Sequence, residues 1–461
     1  MPLTGTRNNN PAKATAREIA MEILIRVEQD QAYSNLLLNQ YLHKYKLERL
    51  DAGLVTEIVY GTIQRLNTID YFLGKFVVKG MNKLEPWVRS LLRLSFYQMY
   101  YLERIPAHAV VNEAVNLAKK KGHQGISGMV NGILRNVLRQ QAELVIPNDL
   151  NPTKRIALLH SHPEWLVSRW IGQYGEETTE QICQANNMAP HSSVRVNPMK
   201  HTVDEMMDLM QKAGLEATRS QMAPQGIVVG QGGNLAHSSW FTQGDVTIQD
   251  ESSMLVAEML NPEAGMQILD CCAAPGGKST HLAEKMRDTG RVIACDIHEH
   301  KEKLIRETAN RLNLHSIQTI VSDALLLPNH YAEASFDAIL VDAPCSGLGV
   351  IRRKPDLKWS KQERDIEAIC QIQLSILEAI DPLLRPGGVL VYSTCTIEFE
   401  ENQAIVAYFM KTHPQYELEA LPINEQLSSI RHLEVDKGML QILPHHFHSD
   451  GFFIARLRKK Q

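Results

Sequence analysis

The sequence predicts a multidomain protein with an all-α front, a small α/β middle domain and a larger α/β domain whose sheet is mostly parallel and doubly wound. Three observations support this fold class. The chain has 461 residues with 44% apolar content, enough for more than one core. Apolar residues recur at helical spacing near the front, and strand-like runs alternate with helical stretches in the last half. We place the domains at residues 1–145, 146–240 and 241–461.

The front of the chain, residues 12–140, is predicted to be helical and basic. Apolar residues repeat every three to four positions, as in Ala16, Ala20, Ile23, Leu24 and Val27. Residues 1–140 hold 19 basic and 11 acidic side chains, a charge of +8, although the whole chain carries −4. A basic section of this kind is typical of nucleic-acid binding, and a solvated helical surface is the alternative. We expect Lys119, Lys120 and Lys121 to approach phosphates.

A linker with three prolines, residues 146–163, is predicted to lead into the middle domain. There, short strands at 193–197 and 226–229 flank a helix at 203–213. Aromatic and basic side chains of this region could stack on or pair with RNA, although tryptophan at helical spacing is more often part of a core. These side chains are Trp165, Arg169, Trp170 and Arg195.

The last domain is predicted from regular alternation of strands and helices, which indicates parallel βαβ units. Ligands of such sheets bind beyond the carboxyl ends of the strands. The predicted strands are 266–270, 291–296, 317–321, 336–342 and 388–392, with helices at 279–286, 301–312 and 365–384 and a final strand at 451–456.

The composition argues against a secreted or membrane protein. The first twenty residues contain no apolar stretch long enough for a signal peptide, and no later run approaches a membrane span. Seven cysteines, an odd number, indicate reduced thiols rather than a disulfide framework. We therefore expect a cytoplasmic protein. The histidines at 445, 446 and 448 suggest a metal site only weakly, because no cysteine or acid lies at ligand spacing, and we predict no metal.

A glycine-rich turn follows the first strand, between Asp270 and Ser279. Gly276 and Gly277 permit a tight turn into a helix whose free N–H groups can bind a carboxylate. The turn also resembles the end of a phosphate loop, but Cys272 stands where that motif needs its first glycine. Asp296 and Asp323 follow the next two strands. Each could be only a helix cap, but together they indicate a nucleoside-bearing cofactor.

Two cysteines at the ends of the fourth and fifth strands indicate covalent chemistry on a pyrimidine. Cys345 lies in Asp342-Ala-Pro-Cys345 and Cys395 in Ser393-Thr-Cys395. A thiolate can add to carbon 6 of the ring and make carbon 5 nucleophilic enough to accept a methyl group from a sulfonium donor. Asp342 could hydrogen-bond ring nitrogen 3 of cytosine. These residues leave the roles of the two thiols interchangeable, and Cys271 stays unassigned.

Three consecutive cations follow the first cysteine loop: Arg352, Arg353 and Lys354. We predict that they hold the phosphates that flank a target base, which must leave its stack to reach a thiol. A solvated charge run is the alternative.

With these motifs in place, the chain resembles the RNA cytosine-carbon-5 methyltransferases of the NOL/NOP/Sun group, in particular bacterial 16S ribosomal RNA enzymes of the RsmB (Sun/Fmu) type. The resemblance covers nearly the whole chain. Its motifs are Gln249-Asp-Glu-Ser-Ser253, Cys272-Ala-Ala-Pro-Gly-Gly-Lys278, Asp342-Ala-Pro-Cys-Ser-Gly347, Ile351-Arg-Arg353 with Pro355, Asp356 and Trp359, and Ser393-Thr-Cys395. It implies a NusB-like front, an RNA-binding middle domain and a Rossmann-like methyltransferase domain.

The resemblance also implies a reaction, a cofactor and a site. It implies formation of 5-methylcytosine in 16S ribosomal RNA, with another RNA such as tRNA as the alternative substrate. It implies that Cys395 is the nucleophile and that Cys345 helps release the product. S-adenosylmethionine would be held by Cys272, Ala273, Ala274, Pro275, Gly276, Gly277, Lys278, Asp296, Asp323 and Asp342.

We expect a monomer with RNA as its partner and neither DNA nor a membrane. Small departures from the family pattern are Ser279 for threonine, Lys354 for histidine and Phe399 for proline; the last leaves the conformation after Cys395 open. Two rival hypotheses from other classes are a phosphate-loop nucleotidase and a non-catalytic RNA-binding assembly protein. ATP would protect the first thermally, and the second would transfer no methyl group.

Overall fold

The computed structural model describes residues 14–230 and 235–461. The chain divides into two compact units. The first runs to Cys183 and also contains Lys354–Ser360, and the second comprises Gln184–Arg353 and Lys361–Gln461. The predicted domain borders after residues 145 and 240 fall inside these units and remain predictions. Of the first twenty residues, in which we predicted no signal peptide, residues 1–13 lie outside the described residues.

Helices form the first unit, as predicted from the apolar spacing. Thr15 caps the first helix by accepting from the backbone N–H of Glu18 at 3.2 Å. Leu91, Leu92 and Phe96 of the central fifth helix are fully buried in the core. The helices are α1 (Ala16–Asp30), α2 (Ser34–Tyr45), α3 (Arg49–Gln64), α4 (Leu66–Gly74), α5 (Pro86–Tyr101), α6 (Ala107–Lys121), α7 (Gln124–Arg139), α8 (Pro152–Leu159), α9 (Glu164–Tyr174) and α10 (Glu176–Asn186).

The second unit contains two sheets. Its elements, together with the short helix α16 of the first unit, are β1 (Ser192–Val196), α11 (Val203–Lys212), β2 (Ala217–Arg219), β3 (Gly226–Val229), α12 (Ser239–Thr242), β4 (Val246–Ile248), α13 (Glu251–Leu260), β5 (Gln267–Asp270), α14 (Gly277–Lys285), β6 (Arg291–Asp296), α15 (Glu299–Arg311), β7 (Ile317–Val321), β8 (Phe336–Asp342), α16 (Leu357–Ser360), α17 (Glu363–Ile380), β9 (Leu384–Thr394), α18 (Gln403–Thr412), β10 (Tyr416–Leu418), β11 (Glu434–Asp436), β12 (Met439–Ile442) and β13 (Phe452–Lys459).

The smaller sheet has the strand order β2-β3-β1-β4, and its neighbouring strands are antiparallel. The larger sheet has the order β11-β12-β13-β9-β8-β5-β6-β7, and β10 pairs with β13. Its strands from β9 to β7 are parallel, which confirms the predicted mostly parallel, doubly wound sheet. The antiparallel part formed by β10 to β13 extends beyond the single final strand that the sequence predicted.

The order of the parallel strands fixes where a ligand can bind. The chain runs outward from β5 to β6 and β7, then crosses to β8 and β9 on the other side of β5. The direction of winding therefore reverses between β5 and β8, and a crevice opens at such a point beyond the carboxyl ends of the strands. Asp270 ends β5 and Asp342 ends β8, so both lie at this crevice.

The segment Lys354–Ser360 completes the first unit although it lies far along the chain. The buried ammonium of Lys358 donates to the carbonyl of Gln64 at 3.0 Å, and the indole N–H of Trp359 donates to Ile63 at 2.8 Å. The hydroxyl of Ser34 also donates to Asp356. The bonds from Lys358 and Trp359 satisfy carbonyls at the end of α3 that have no partner within the helix.

Within residues 14–230 and 235–461, none of the helices is both long and apolar enough to cross a membrane. The same residues contain no cluster of three or more His, Cys, Asp or Glu side chains arranged to hold a metal ion.

Candidate active site

The glycine turn after β5 is held in place by buried polar contacts. Gly276 adopts φ +101°, a conformation that L side chains rarely adopt, and a Cβ there would lie 3.0 Å from the Cα of Ile305. The hydroxyl of Ser279, on the first turn of α14, donates to the carboxyl of Asp270 at 2.6 Å. Asp270 is fully buried, and burial raises its pKa to about 7 although the Ser279 hydrogen bond opposes the shift.

Replacing Asp270 by asparagine should stabilise the protein relative to wild type progressively as pH rises from about 4 to about 7. Because folding raises its pKa, this carboxyl favours the folded state only while protonated, and that contribution is lost as pH rises through about 7. Asparagine stays neutral and can still accept from Ser279, so the gain over wild type should reach about 4 kcal/mol above pH 7. Thermal unfolding of both proteins across this pH range measures it. Replacing the exposed Asp436 by asparagine is the control. A stability gain of Asp270→Asn that does not change with pH would contradict the raised pKa of Asp270.

A charged pair connects the glycine turn to the end of β8. The ammonium of Lys278 lies 2.7 Å from Asp342, which also accepts from the hydroxyl of Ser393 at 2.8 Å. Burial alone would lower the pKa of Lys278, but the charges of Asp342, of a Cys395 thiolate and of Asp270 raise it above its usual value. The predicted cofactor turn, Asp342 and the loop of Cys395 therefore meet at one place.

The two predicted thiols lie side by side. The sulfur of Cys345 is 3.3 Å from the sulfur of Cys395, and both residues are partly buried. Their loops follow the neighbouring parallel strands β8 and β9. The backbone N–H of Gly349 donates to the carbonyl of Cys395 at 3.0 Å, and a Cβ on Gly349 would lie 2.1 Å from the carbonyl oxygen of Gly451. Only glycine at position 349 permits the loop after β8 to approach the backbone of Cys395 and Gly451 this closely.

The electrostatic surroundings distinguish the two thiols. The hydrogen bond to Cys395 is the largest cause that raises the pKa of Cys345, followed by burial and by the negative charges of Cys395 and Glu401. The ammonium of Lys278, in contrast, interacts favourably with a Cys395 thiolate. Burial and the charge of Glu401 therefore disfavour a thiolate at Cys345, whereas the positive charge of Lys278 favours one at Cys395, and thiolates are the nucleophilic form. The sequence motifs by themselves gave no such distinction.

Two further acids lie where the sequence predicted them. Asp296 ends β6 and accepts from the N–H of His298 at 3.1 Å, and Asp323 follows β7 and accepts from the N–H of Leu325 at 3.0 Å. Together with Asp270 and Asp342 they form a row of carboxyl groups along the ends of four adjacent strands. Carboxylates in this position suit the hydroxyls of a ribose.

The three cations after the Cys345 loop are not equivalent. Arg352 is buried and donates to the carbonyls of Pro444 and His448. Arg353 forms ion pairs with Asp250 at 2.8 Å and Asp450 at 2.7 Å. These contacts argue against the prediction that Arg352 and Arg353 hold RNA phosphates, because both guanidinium groups are engaged with carbonyls or carboxylates within the protein. Lys354 is exposed.

The structure also places residues whose role the sequence did not predict. Arg195 is fully buried, so the suggested contact with RNA is wrong; it pairs with Glu284 at 2.9 Å and donates to the carbonyl of Gly277 at 2.8 Å. It thereby joins the small sheet to the glycine turn. Trp170 is also fully buried, in agreement with the core alternative. Glu401 is buried beside both cysteine loops, and no motif spacing in the sequence indicated this.

Comparison with known proteins agrees with this geometry. The family model of the 16S rRNA methyltransferase RsmB/F matches residues 257–458, the NusB family matches 14–139, and an RsmF/B-like ferredoxin-like domain matches 162–236. The chain is 46% identical over 448 residues to the probable ribosomal RNA small subunit methyltransferase B of Bacillus subtilis strain 168, covering 97% of this chain and 99% of that protein. The chain belongs to the RsmB/F family. It is an RNA methyltransferase.

Other relatives of the RsmB/F family support the same conclusion. The ribosomal RNA small subunit methyltransferase B of Photorhabdus laumondii is 37% identical, covering 89% of this chain and 91% of that protein. The crystal structure of PH0851 has a TM-score of 0.80 and 28% identity, and the match covers 96% of this chain and 99% of that one. The predicted family and the NusB-like, middle α/β and methyltransferase fold are confirmed.

Proposed function

We propose that this protein transfers a methyl group from S-adenosylmethionine to carbon 5 of a cytosine in 16S ribosomal RNA, through a covalent adduct with Cys395. The observation that carries the proposal is the pair of sulfurs 3.3 Å apart, next to Lys278 and Asp342 at the crevice between β5 and β8. A second thiol is of use to an enzyme that must first form and then break a carbon–sulfur bond.

The first step is attack of the Cys395 thiolate on carbon 6 of the flipped-out cytosine. The sulfur supplies the electron pair of the new bond, and the ring electrons move toward nitrogen 3 and make carbon 5 nucleophilic. Asp342 lies near Cys395 because it accepts from Ser393, and once protonated it can donate to ring nitrogen 3. The positive charge of Lys278 favours the thiolate form of Cys395. Carbon 5 would then bond to the methyl carbon of the bound donor, whose sulfonium sulfur would keep the electron pair of the broken sulfur–carbon bond and leave as a neutral thioether.

The second step removes the proton from carbon 5 and breaks the carbon 6–sulfur bond, whose electron pair returns to Cys395. Cys345, after losing its own proton to solvent, takes the carbon 5 proton. Once Cys395 is bonded to carbon, its negative charge is gone, and with it a leading cause of the raised pKa of Cys345. The protein therefore makes this base more available at the step that needs it.

S-adenosylmethionine fits the donor set at the crevice, and when bound it supplies the methyl group. The turn from Cys272 to Lys278 presents backbone N–H groups at the start of α14, and Asp296 and Asp323 present carboxylates on the next two strands. Cys272, at the position of the first glycine of a phosphate loop, and membership of a methyltransferase family oppose the nucleotidase hypothesis.

We further propose that the helical unit docks RNA in a groove between α6 and α7. The groove has a volume of about 530 Å³. Lys119 and Arg135 supply positive charge, and asparagine side chains supply amides that can bond base edges. The asparagines are Asn112, Asn116 and Asn131. Lys119, Lys120 and Lys121 are all exposed at the end of α6. Lys120 forms an ion pair with Glu18 at 2.9 Å, so we keep Lys119 and Lys121 as the proposed phosphate contacts.

Replacing Gly128 by leucine should weaken RNA binding about tenfold, or about 1.4 kcal/mol. Gly128 lines the groove, and a Cβ there would meet no atom within 4 Å, so the new side chain fills the groove without a clash. RNA affinity measured by filter binding checks this. Gly53→Leu is a matched control, since Gly53 also lies in a helix with open space around it but does not line the groove. Equal RNA affinities of the two variants would contradict the assignment.

Bisulfite sequencing of ribosomal RNA tests the proposed reaction directly. One cytosine of 16S ribosomal RNA should lose its protection from bisulfite in a strain lacking this protein and regain it when the gene is restored. Purified protein with labelled S-adenosylmethionine should methylate the same position. Methylation of tRNA alone would support the alternative substrate, and RNA binding without methyl transfer would support an assembly protein.

A further inference from the structure

Glu401 connects the loops of the two thiols. Its carboxylate accepts from the backbone N–H of Ser346 at 2.8 Å and from the hydroxyl of Ser346, the residue after Cys345. It also accepts from the hydroxyl of Thr396, the residue after Cys395, at 3.1 Å. Gln373 supplies a fourth hydrogen bond at 3.1 Å and donates to the carbonyl of Pro344 at 3.0 Å.

This carboxylate is fully buried, and its two oxygens accept four donors. Desolvation of a buried carboxylate is costly unless such hydrogen bonds offset it. The hydroxyls of Ser346 and Thr396 also lie 2.9 Å apart, so the positions that follow both cysteines are joined through one group. If Glu401 accepted hydrogen bonds from only one of the two cysteine loops, the distance between the loops could vary. Because it accepts from both loops, it fixes that distance.

We propose that Glu401 is a positioning residue that sets the distance between the sulfurs of Cys345 and Cys395, and that it serves the release of the adduct more than its formation. The part concerning the adduct rests on the proposed function. Adduct formation needs Cys395 beside Lys278 and Asp342, and these contacts do not involve Glu401. Release needs Cys345 next to the bond between Cys395 and carbon 6 of the base. Cys345 lies there only when Glu401 holds the two cysteine loops together.

The spacing can be measured without RNA. Phenylarsine oxide binds two nearby thiols: arsenic forms two bonds to sulfur, and the two thiol protons leave with the oxide oxygen as water. Wild-type protein should bind the reagent through Cys345 and Cys395, and Cys345→Ala defines the background from other cysteines. Glu401→Gln should weaken this binding at least tenfold, because the neutral amide loses the charge that strengthens all four hydrogen bonds, and its N–H group takes the place of the oxygen that accepts from the hydroxyls of Ser346 and Thr396.

Single-turnover assays with RNA then separate the two chemical steps. Glu401→Gln should form the covalent protein–RNA adduct at a rate close to wild type and release it at least tenfold more slowly, so that the adduct accumulates on a denaturing gel. Glu419→Gln is the control: it removes a carboxylate that pairs with Arg456 and Arg458 in the same unit, and adduct should not accumulate.

Thr396→Val keeps the shape of the side chain and removes one hydroxyl, so it should give the same pattern with about a threefold effect if Glu401→Gln does not fold. Arsenical binding within twofold of wild type in the folded variants would overturn the proposal. If the variant slows adduct formation and adduct release by the same factor, the proposal is also overturned, because a general disordering of the site would slow both steps. If wild-type protein forms neither adduct nor methylated RNA, the proposed function fails, and the arsenical measurement still decides the role of Glu401 in spacing.

Discussion

Cys395→Ala should abolish methyl transfer, with a loss of about 10³-fold or more, as the removal of a nucleophile causes in other covalent enzymes. Cys345 should not replace it at the same carbon, because burial and the charge of Glu401 still raise the pKa of the Cys345 thiol after the hydrogen bond to Cys395 is removed. RNA affinity should stay within about twofold, since the groove between α6 and α7 is unchanged. Incorporation of labelled methyl groups and filter binding measure the two effects.

Cys183→Ala is the control for this experiment. Cys183 is fully buried in the first unit, and its loss removes a small apolar group rather than a reactive one. Methylation by Cys183→Ala should remain near the wild-type rate. A Cys395→Ala protein that methylates RNA at the wild-type rate would show that another group attacks the ring.

Cys345→Ala should convert the transient adduct into a stable one. Cys395 remains in place to attack carbon 6, and the methyl group can still be transferred, but no base takes the proton from carbon 5. The elimination that frees Cys395 therefore stops. We expect close to one RNA per protein molecule to be retained after denaturation, visible as a band of reduced mobility, together with a loss of turnover of about 10²-fold or more.

The double variant Cys345→Ala with Cys395→Ala identifies the attachment point, because it should form no such band. If the band persists in the double variant, the adduct involves another residue. If Cys345→Ala alone gives no band and turns over normally, Cys345 has no part in release.

The parallel sheet could be predicted because each of its strands is a local apolar run. The predicted strands 291–296, 317–321 and 336–342 coincide with β6, β7 and β8, and the motif residues at their ends meet at the crevice. The proximity of Cys345 and Cys395 could be predicted because neighbouring parallel strands present their carboxyl ends together. The short strands β10, β11 and β12 were not predicted, since their stability comes from pairing with neighbouring strands rather than from their own three or four residues: β10 and β12 pair with β13, and β11 pairs with β12.

Buried charges explain the remaining differences. Arg352 and Arg195 were interpreted as surface cations, because a charged residue is usually exposed. Their partners lie more than 50 positions away, at Pro444 and His448 for Arg352 and at Glu284 for Arg195, and single-sequence patterns do not contain such contacts. The role of Glu401 could not be predicted for the same reason, since its partner Ser346 is 55 positions earlier.

The bonds of Lys358 and Trp359 to the end of α3 span nearly 300 positions, and they affect how the protein can be made. During translation, the amino-terminal helices emerge from the ribosome long before the residues that cap their third member. That bundle can acquire its last hydrogen bonds only after most of the polypeptide has been synthesised. Expressing the amino-terminal half alone would thus leave carbonyls of Ile63 and Gln64 without these donors, and a cut at a conventional linker would not yield two self-sufficient pieces.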